Sequence, residues 1–417
     1  MEKLSQKSTA LLIWLKSYKE IKEGKMENQK DIIIVGGGMV GAACAVGLGQ
    51  LGLNVHLIEA SPLPQFHAHS PYDLRISAIS LASVQLLQQL QSWQFIEQMR
   101  VCPYRGLETW EIEGFATRFR CEELGYDKLG YMVENNVIQL GLWQALSQLD
   151  KVQSSIGVKV QRAEKCGQNW QLFLDNGEQY SAPLVIAADG ANSQFRQLAG
   201  IGITGWQYRQ DCLLMLVDTE LPQQDTTWQQ FFPSGPRALL PLTGQQACLV
   251  WYDSPEKIKQ LKQLSKEKLT QAIEQAFPAR LGKINVQQAG SFALTRRHAQ
   301  QYFKQGIVLV GDAAHTINPL AGQGVNLGFK DVKALLSVIQ SAVQNQQDFS
   351  ADDVLKKYQD LRLKDNLMMQ SAMDLFYKGF KTELLPVKAL RNLALLMAEK
   401  AIPLKKHALK YALGLIK

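Results

Sequence analysis

Three glycines near the beginning of the chain have the spacing of a phosphate-binding loop. Gly36, Gly38 and Gly41 follow the apolar run at residues 32–35, which is typical of a buried parallel strand, and they precede an apolar, helix-favouring run. In such a loop the first glycine permits a tight turn, the second lets the backbone approach a pyrophosphate, and the third lets the helix pack close to the sheet. The N-terminus of the helix adds N–H donors for phosphates. The pattern predicts a dinucleotide site, although a strand-to-helix turn that binds nothing would share the glycine spacing.

Three acidic residues each follow an apolar run that is predicted to be a strand. Glu59 ends the second such run, about 20 residues after the glycines, where an acid can accept a hydrogen bond from a ribose hydroxyl. Asp189 and Asp312 follow the runs at 184–188 and 306–310, at the edge where α/β sheets bind ligands. Capping of a strand-to-helix turn is the alternative for Asp189, and an ordinary turn is the alternative for Asp312, because Asp is common in both.

The composition is that of a globular protein with a moderate positive charge. Hydrophobic residues make up 46% of the 417 residues and charged residues 20%, which excludes a disordered chain. The net charge of +7 is not concentrated in a Lys/Arg block, so no nucleic-acid-binding arm is predicted. The six cysteines form no C-x-x-C pair, which indicates neither a metal site nor a disulfide framework. This cysteine usage fits a reducing compartment, and we predict a cytoplasmic location.

The chain is long enough for two or three domains, and its texture changes along its length. We predict an α/β protein, in a two-domain α+β arrangement, with a Rossmann-like nucleotide-binding domain, an inserted sheet-containing substrate domain and a C-terminal helical region. Short segments at about 72–112 are assigned to the substrate domain. The predicted divisions are a flexible extension at 1–30, the nucleotide-binding domain at 31–202 and 293–350, the substrate-domain sheet at 203–292, and helices at 351–417.

Local patterns predict individual elements. Residues 76–87 and residues 256–277 are each predicted to be helical. The pair Asn176-Gly177 predicts a hairpin turn. The apolar run at residues 11–15 is too short for a signal sequence or a membrane span.

The C-terminal region combines apolar and basic residues. Leu390, Leu393, Leu396 and Met397 fall at helical spacing. One interpretation is a helix that covers the domain and turns a solvated basic face outward. The other is a surface that meets anionic lipid or a membrane-bound partner. The basic residues concerned are Arg391, Lys400, Lys405, Lys406 and Lys410.

Three separated motifs occur in order along the chain: the glycine loop with Glu59, residues 188–196, and residues 311–315 with 322–326. Together they resemble the single-component flavin aromatic hydroxylases, the group that contains para-hydroxybenzoate hydroxylase. Residues 318–331 resemble the signature of the ubiquinone-biosynthesis hydroxylases, except that Asn318 stands where the signature usually has His. The resemblance covers about residues 28–415. Within it, four stretches resemble the branch that hydroxylates demethoxyubiquinol, at residues 104–110, 130–135, 249–255 and 294–298.

The resemblance implies that the cofactor is FAD. Asp312 is then expected to accept hydrogen bonds from the ribityl hydroxyls, and the helix that follows residues 318–323 is expected to stabilise negative charge on the flavin ring. No catalytic residue is assigned, and His315 receives no role because a lone histidine beside a strand end is more often structural. The implied FAD-binding residues are Gly36, Gly38, Met39, Val40, Gly41, Glu59, Arg75, Gln139, Asp189, Asp312, Pro319, Gly322, Gly324, Val325 and Asn326.

The implied reaction is the hydroxylation of an aromatic ring. NAD(P)H is expected to reduce FAD, and O₂ to give a flavin C4a-hydroperoxide, which transfers one oxygen atom to a polyprenylated quinol of ubiquinone biosynthesis. Demethoxyubiquinol (2-polyprenyl-3-methyl-6-methoxy-1,4-benzoquinol) is the first choice of substrate. The alternatives are a neighbouring ring position, an FAD oxidoreductase that does not oxygenate, and a scaffold that retains FAD for stability. Expected partners are a ubiquinone-biosynthesis protein complex and, through peripheral contact, the inner face of a membrane.

Overall fold

The structure is a computed structural model that describes residues 28–222, 225–317, 324–382 and 384–415. Residues 1–27 of the predicted extension and the predicted flavin contacts Pro319 and Gly322 lie outside the described residues. In the first half of the chain the elements are β1 (Ile32–Val35), α1 (Met39–Gln50), β2 (Val55–Glu59), β3 (Ile76–Ser80), α2 (Leu81–Gln89), α3 (Trp93–Met99), β4 (Cys102–Tyr104), β5 (Gly106–Trp110), β6 (Thr117–Arg120), β7 (Gly130–Glu134), α4 (Asn135–Leu146), β8 (Val152–Ile156), β9 (Val160–Cys166), β10 (Asn169–Leu174), β11 (Gln179–Ala182) and β12 (Leu184–Ala187).

The second half of the chain adds two long paired strands and the C-terminal helices. Its elements are α5 (Gln194–Leu198), β13 (Ile203–Thr219), β14 (Thr226–Gln230), β15 (Arg237–Pro241), β16 (Gln246–Asp253), α6 (Pro255–Lys262), α7 (Lys266–Ala276), β17 (Ile284–Ala299), β18 (Phe303–Lys304), β19 (Ile307–Leu309), β20 (His315–Thr316), α8 (Gly324–Gln344), α9 (Asp352–Lys381), α10 (Leu385–Lys400) and α11 (Ile402–Ala412).

A six-stranded sheet carries the glycine loop. Its strand order is β18-β19-β12-β1-β2-β8, and β1 pairs in parallel with both β12 and β2. All four residues of β1 are buried, which is why this strand is apolar throughout instead of alternating. The N–H of Lys30 donates to the carbonyl oxygen of Ser181 at 2.8 Å, so backbone pairing begins before the predicted domain start at residue 31. Helix α1, which follows β1, packs against α4 and α8.

An eight-stranded sheet has the order β20-β17-β13-β16-β15-β14-β5-β6. Side chains alternate along its strands: Leu213 and Met215 face a core that α6 and α7 close, whereas Cys212 and Leu216 face a second core. One of its strands, β5, comes from the segment that the sequence assigns to the substrate domain. Strand β17 continues to Ala299, so the division predicted between residues 292 and 293 falls inside a strand, and the domain boundaries stay a prediction.

The helix predicted at residues 76–87 is wrong in its first five residues. Residues 76–80 form β3, which pairs antiparallel with β7, and α2 begins at Leu81. Ile76 lies in the second core, whereas Ile79 lies in the core around the six-stranded sheet. Because both faces of this strand are buried, its apolar residues do not alternate, and the run cannot be told from a helical pattern by periodicity.

The helix predicted at residues 256–277 is interrupted and forms α6 and α7. The side chain of Ser265 accepts a hydrogen bond from the N–H of Lys268 and so begins the second helix. The hairpin predicted from Asn176 and Gly177 is confirmed: it joins β10 to β11, and Gly177 has a φ of +89°.

The C-terminal helices connect the two large sheets. Among the described residues, no helix has the length and the apolar character that crossing a bilayer requires. Near the beginning of α9, the hydroxyl of Tyr358 donates to the carbonyl oxygen of Leu309 in β19 at 2.8 Å. Further along the same helix, Asp374 forms an ion pair with Arg296 of β17 at 3.2 Å. Helix α9 therefore fixes the six-stranded sheet relative to the eight-stranded sheet.

The basic face predicted for the last helices is incomplete. Arg391 forms an ion pair with Glu111, and Lys405 pairs with Glu123 at 2.9 Å and with Glu399 at 3.2 Å. Both basic side chains are largely buried. Two of the basic residues therefore anchor the helices to the rest of the protein instead of facing solvent.

A buried carboxylate in α8 holds the loop that follows β19. Oδ2 of Asp331 accepts hydrogen bonds from the N–H of Gly311 at 3.0 Å and from Nε2 of His315 at 2.5 Å. Oδ1 accepts from Nε of Arg362 at 2.8 Å and from Nδ2 of Asn366 at 3.2 Å. Burial alone would raise the pKa of this carboxyl, but attraction to His315 and Arg362 and their hydrogen bonds outweigh burial and lower the pKa to about 2. The loop is thus held at both ends by one ionised group.

Replacing Asp331 with Asn should destabilise the protein strongly, because it removes the fully buried carboxylate that pairs with Arg362 and leaves that guanidinium only the partly exposed carboxylate of Asp365. We expect the free energy of unfolding to fall by about 3–5 kcal/mol at pH 7, the range for removing one partner of a buried ion pair. Because the folded-state pKa of about 2 lies below the ordinary value of 3.8, the stabilisation is present above that ordinary value and is lost as pH falls towards 2. Urea denaturation should therefore show the difference between wild type and variant narrowing over this interval.

The matched control for this variant is Asp360→Asn, which breaks an exposed ion pair with Lys356. Exposed pairs contribute little, so the control should leave the free energy of unfolding almost unchanged. An Asp331→Asn protein as stable as the Asp360→Asn protein would show that the buried carboxylate does not hold the loop as described.

Candidate active site

A cavity of about 430 Å³ lies between the carboxyl edge of the six-stranded sheet and the eight-stranded sheet. This volume is within the roughly 300–1,000 Å³ of small-molecule sites. On the side of the six-stranded sheet the lining includes Gly38, Met39, Val40, Arg75, Gly311, Asp312, Gly324 and Val325. On the other side the lining includes Cys212, Leu214, Leu240, Val250, Tyr252, Phe292 and Leu294.

Packing requires the first and third glycines of the loop. Gly36 has a φ of +101°, and a Cβ atom there would lie 2.3 Å from the carbonyl oxygen of Ala188. A Cβ atom on Gly41 would lie 1.8 Å from the carbonyl oxygen of Gly36. A larger residue at either position would force the loop away from β12 or from its own turn. The close approach of helix to sheet that the glycine spacing predicts is therefore present.

The second glycine, Gly38, opens onto the cavity. A Cβ atom there would meet no described atom within 4 Å. Gly38 precedes the first turn of α1, and no side chain in the described parts of the chain caps this helix. The first N–H groups of a helix lack partners within it, so those of Met39 and Val40 remain for a ligand. This open, uncapped cradle fits the pyrophosphate of a dinucleotide.

Three side chains hold the peptide groups of Gly37, between the first two glycines of the motif. Oε2 of Glu59 accepts from the N–H of Gly37 at 2.6 Å, and Oε1 accepts from the N–H of Ser61 at 2.8 Å. The carbonyl oxygen of Gly37 accepts from Nε2 of Gln139 at 2.9 Å and from Nε1 of Trp143 at 2.8 Å. Glu59 and Gln139 thus reach the predicted site. Sequence analysis does not find Trp143, whose only signal is its position one helical turn after Gln139.

Arg75 and Asp312 also reach the predicted site. Both side chains are exposed to the cavity that they line. The surrounding protein desolvates the carboxyl of Asp312 and raises its pKa, while His315 and Arg75 act in the opposite direction. Because the Asp312 side chain is exposed to the cavity, its carboxylate oxygens can accept hydrogen bonds from the hydroxyl groups of a bound ligand.

Asp189 lies beside the cavity and does not line it. Its Oδ2 accepts from the N–H groups of Gln194 at 2.8 Å and Phe195 at 3.3 Å, which caps α5. Its Oδ1 is buried and has no partner among the described residues. The neighbouring residues Ala188 and Gly190 are the ones that reach the cavity. The capping interpretation therefore accounts for one of the two carboxylate oxygens.

The side chain of Asn326 is directed away from the main cavity. Its Nδ2 donates to the carbonyl oxygen of Ala78 at 2.8 Å, and its Oδ1 accepts from the N–H of Ser80 at 3.0 Å. These bonds tie the first turn of α8 to β3. The neighbouring residues Gly324 and Val325 line the cavity, and the assignment of Asn326 to FAD binding stays a prediction.

Two arginines join the loops that follow β12 and β19. Arg196 donates to the carbonyl oxygen of Ala313 at 3.0 Å and to that of Ala191 at 3.1 Å. Arg297 donates to the same carbonyl oxygen of Ala191 at 2.8 Å and to Oδ1 of Asn192 at 2.7 Å. Sequence analysis assigns no role to Arg297, because its partners lie more than a hundred residues away and leave no local pattern.

The side of the cavity formed by the eight-stranded sheet is mostly apolar. Burial raises the pKa of the Cys212 thiol and of the Tyr252 phenol, so both groups are neutral at physiological pH. The polar exceptions on the opposite wall include Ser77, whose hydroxyl donates to Oδ1 of Asn135 at 2.6 Å. In the described parts of the chain, no group of three His, Cys, Asp or Glu side chains could hold a metal ion. The arrangement can hold phosphates at one end and an apolar ring at the other.

Comparisons with known proteins agree with this geometry. A family model described as "FAD binding domain" matches residues 29–366. The chain is 53% identical to 3-demethoxyubiquinol 3-hydroxylase of Escherichia coli (strain K12) over 94% of this chain and 100% of that protein. It is 32% identical to ubiquinone biosynthesis monooxygenase COQ6 of Danio rerio, over 92% of this chain and 89% of that protein.

The fold is also found in solved structures. The crystal structure of p-nitrophenol 4-monooxygenase PnpA from Pseudomonas putida DLL-E4 matches with a TM-score of 0.75, covering 93% of this chain and 98% of that chain at 18% identity. At this identity the likeness concerns the fold alone.

The predicted α/β fold class with a C-terminal helical region is confirmed, and so is FAD as the cofactor. Because the family model spans most of the chain and the E. coli relative is matched along its whole length, the alternative of a catalytically silent scaffold is set aside. The chain belongs to the FAD-dependent monooxygenases of ubiquinone biosynthesis.

Proposed function

We propose that this enzyme hydroxylates 3-demethoxyubiquinol, inserting one oxygen atom at the remaining unsubstituted carbon of its ring. The observation that carries the proposal is the cavity that extends from the N-terminus of α1 to the apolar face of the eight-stranded sheet. A dinucleotide held at the first end would direct its ring system towards the second. The substrate named for the E. coli relative, which is 53% identical, supports the choice of quinol.

Bound FAD supplies the redox chemistry that activates O₂ for ring hydroxylation. In the proposed reaction, the quinol, O₂, NAD(P)H and a proton are converted to hydroxylated quinol, water and NAD(P)⁺. The protein then has to bind the reactants, orient them and exclude water. A second G-x-G-x-x-G spacing occurs at Gly200, Gly202 and Gly205, but it leads from α5 into the antiparallel strand β13 instead of joining a parallel strand to a helix, so it lacks the context of a dinucleotide loop. We therefore propose that NAD(P)H approaches the same cavity.

We propose the following division of labour at the cofactor. The N–H groups of Met39 and Val40 bind the pyrophosphate, and Gly38 leaves room for it. Asp312 accepts hydrogen bonds from the ribityl hydroxyls. The uncapped cradle of α1 and the exposure of the Asp312 carboxyl to the cavity support these two assignments.

Other side chains support the cofactor loop in this proposal. Glu59 and Gln139 keep Gly37 in place, and Glu59 also accepts from the ribose. Arg75, which is exposed to the cavity, approaches the flavin. The N-terminal turn of α8, at Gly324 and Val325, stabilises negative charge on the flavin ring. The assignments of Pro319, Gly322, Asp189 and Asn326 to the cofactor stay predictions.

The apolar wall formed by Leu214, Leu240, Val250 and Phe292 is proposed to receive the quinol ring. Packing the ring against this wall excludes water from the reacting atoms, which is what a hydroxylation needs to avoid losing its oxygen as peroxide. Hydroxylation of a neighbouring ring position is the competing function. It is favoured by Asn318, which stands where the signature usually has His and lies outside the described residues.

The proposal places the enzyme in the cytoplasm, in peripheral contact with the inner face of the membrane and in company with other ubiquinone-biosynthesis proteins. The polyprenyl tail of the substrate supports this location. Each methylene group that enters the bilayer lowers the free energy of the substrate, so the tail keeps the quinol ring at the membrane surface.

Quinone analysis of cells tests the reaction. A strain that lacks the protein and grows in air should accumulate demethoxyubiquinone. Restoring the protein under ¹⁸O₂ should place one ¹⁸O atom in the ring of ubiquinone. Accumulation of an earlier polyprenylphenol would move the enzyme to another ring position, and unchanged ubiquinone would remove it from the pathway.

The phosphate cradle is tested by Gly38→Val. Its side chain would occupy the open space next to the N–H groups of Met39 and Val40, so the folded protein should purify without FAD. Gly379→Val is the control, because a Cβ atom on Gly379 also meets no described atom within 4 Å but lies on α9. The absorption spectra of the two purified proteins give the flavin content. Full flavin in both would refute the assignment of the loop.

The role of Asp312 is tested by Asp312→Ala. Loss of a hydrogen bond to a charged group should weaken FAD binding by about 1.5–3 kcal/mol, which is roughly a 10- to 150-fold increase in Kd. Titration of the apoprotein with FAD, followed by flavin fluorescence, measures this change. Asp360→Ala, a variant of an exposed carboxylate on α9, is the control and should keep the wild-type Kd. An unchanged Kd for Asp312→Ala would leave that residue without a cofactor role.

A further inference from the structure

Helix α10 is amphipathic, but its apolar face points outward and its polar face points towards the protein. Leu390, Leu393 and Met397 are spaced to share one face, and the exposed fractions of these side chains are 68%, 49% and 63%. Asn392, on the opposite face, is only 2% exposed. An ordinary surface helix buries its apolar face and exposes its polar face. This helix therefore presents to the outside the residues that water favours least.

Polar contacts fix this orientation. Arg391 forms an ion pair with Glu111, whose Oε2 accepts from its Nε at 2.6 Å, and Nδ2 of Asn392 donates to the same oxygen at 2.6 Å. Further along the helix, Oε2 of Glu399 accepts from the N–H of Arg118 at 2.7 Å. Rotating α10 to hide its leucines would leave the buried Glu111 carboxylate without partners, which is costly. These polar contacts therefore hold the apolar face of α10 outward.

The exposed apolar surface extends beyond α10. Leu375, near the end of α9, is 72% exposed. Leu384, immediately before α10, and Leu385, the first residue of α10, are 66% and 79% exposed. Scattered exposed leucines are ordinary, but so many within one short part of the chain indicate an interaction surface. We call these three residues together with Leu390, Leu393 and Met397 the outer apolar surface.

The exposed charges that the structure describes between residues 361 and 415, the part of the chain that carries the outer apolar surface, are basic. Between residues 361 and 415, the acidic side chains that the structure describes are Asp365, Asp374 and Glu399, and each is bonded to a basic or hydroxyl group. The exposed basic residues in the same part of the chain are Lys364, Lys378, Lys400, Lys406 and Lys410. The surface thus combines apolar side chains with unbalanced positive charge, which is the composition of a surface that lies on anionic lipid.

We propose that the outer apolar surface rests on an anionic lipid bilayer and brings the cavity to the membrane. This inference rests on the proposed function in one respect: bilayer contact would give the enzyme access to a substrate with a polyprenyl tail. A second copy of the chain fits less well. A two-fold contact through this surface would bring the lysines of both copies together, and none of the carboxylates that the structure describes between residues 361 and 415 is exposed.

Point variants test the proposal better than deletion of the C-terminus. Deleting the chain after Pro386 would also remove Leu409 and Leu413, which are buried in the second core. The test variant is Leu390→Ser with Leu393→Ser and Met397→Ser. Its control replaces three exposed leucines elsewhere, Leu198→Ser with Leu221→Ser and Leu264→Ser, which are 50%, 44% and 37% exposed.

The full-length, FAD-loaded proteins are sedimented with phosphatidylcholine vesicles that contain or lack phosphatidylglycerol. Wild type and control should sediment with the anionic vesicles at low salt and less at high salt. The test variant should bind these vesicles at least about tenfold more weakly. Equal sedimentation of all three proteins would overturn the proposal. So would a wild-type protein that ignores vesicles but forms a dimer that the test variant breaks.

Activity on a quinol with a short, water-soluble tail separates this inference from the proposed function. The test variant should keep wild-type turnover of the soluble quinol and lose turnover of a long-tailed quinol embedded in anionic vesicles. If wild type hydroxylates neither quinol, the proposed function fails while the vesicle-binding result stands on its own. If the test variant loses turnover of the soluble quinol as well, the surface acts through the fold of the enzyme and the bilayer proposal is wrong.

Discussion

The ionised carboxylate of Asp331 is the interaction on which the arrangement of the cavity depends. It is fully buried, and it accepts hydrogen bonds from both ends of the loop that carries Asp312 and from two side chains of α9. A carboxylate can remain charged in such a place only if its partners replace the water that it loses. The partners here do so, because the pKa of the group is lowered in spite of burial. The loop, α8 and α9 are therefore positioned by one balanced set of charges.

Helix α9 extends from its contacts with Asp331 to the eight-stranded sheet. The cavity exists because α9 keeps the six-stranded and the eight-stranded sheets at a fixed separation. One wall is made of loops at the carboxyl edge of a parallel sheet, where polar backbone groups are available to a ligand. The other wall is the face of an antiparallel sheet, where alternation places apolar side chains towards the cavity. The surface that we propose to bind phosphates is thus formed by a parallel sheet, and the surface that we propose to bind the ring is formed by an antiparallel sheet. Ion pairs such as that between Asp374 and Arg296 set the distance between them.

The parts of this structure that could be predicted from sequence are those with a local cause. The turn from β1 into α1 is predictable because the constraints on Gly36 and Gly41 arise within the turn and from the next strand. The role of Asn326 could not be predicted, because its amide donates to a carbonyl oxygen 248 residues away. The strand at residues 76–80 was mistaken for part of a helix because two separate cores bury its two faces. The spacing of apolar residues shows which face of an element is buried. When both faces are buried, this spacing cannot distinguish a strand from a helix.

The reversed helix α10 shows the same limit and joins the surface of the enzyme to its cavity. Its apolar spacing is visible in the sequence, but the direction of that face is decided by Glu111, 280 residues before Arg391. Helix α11 continues from α10 and inserts Leu409 and Leu413 into the second core, which also contains the cavity residues Leu240 and Tyr252. Protein cores are close-packed and hardly compressible, so helices that share a core with the cavity wall keep a fixed orientation to it. A surface that met the bilayer through α10 would therefore determine the direction in which the cavity faces the membrane.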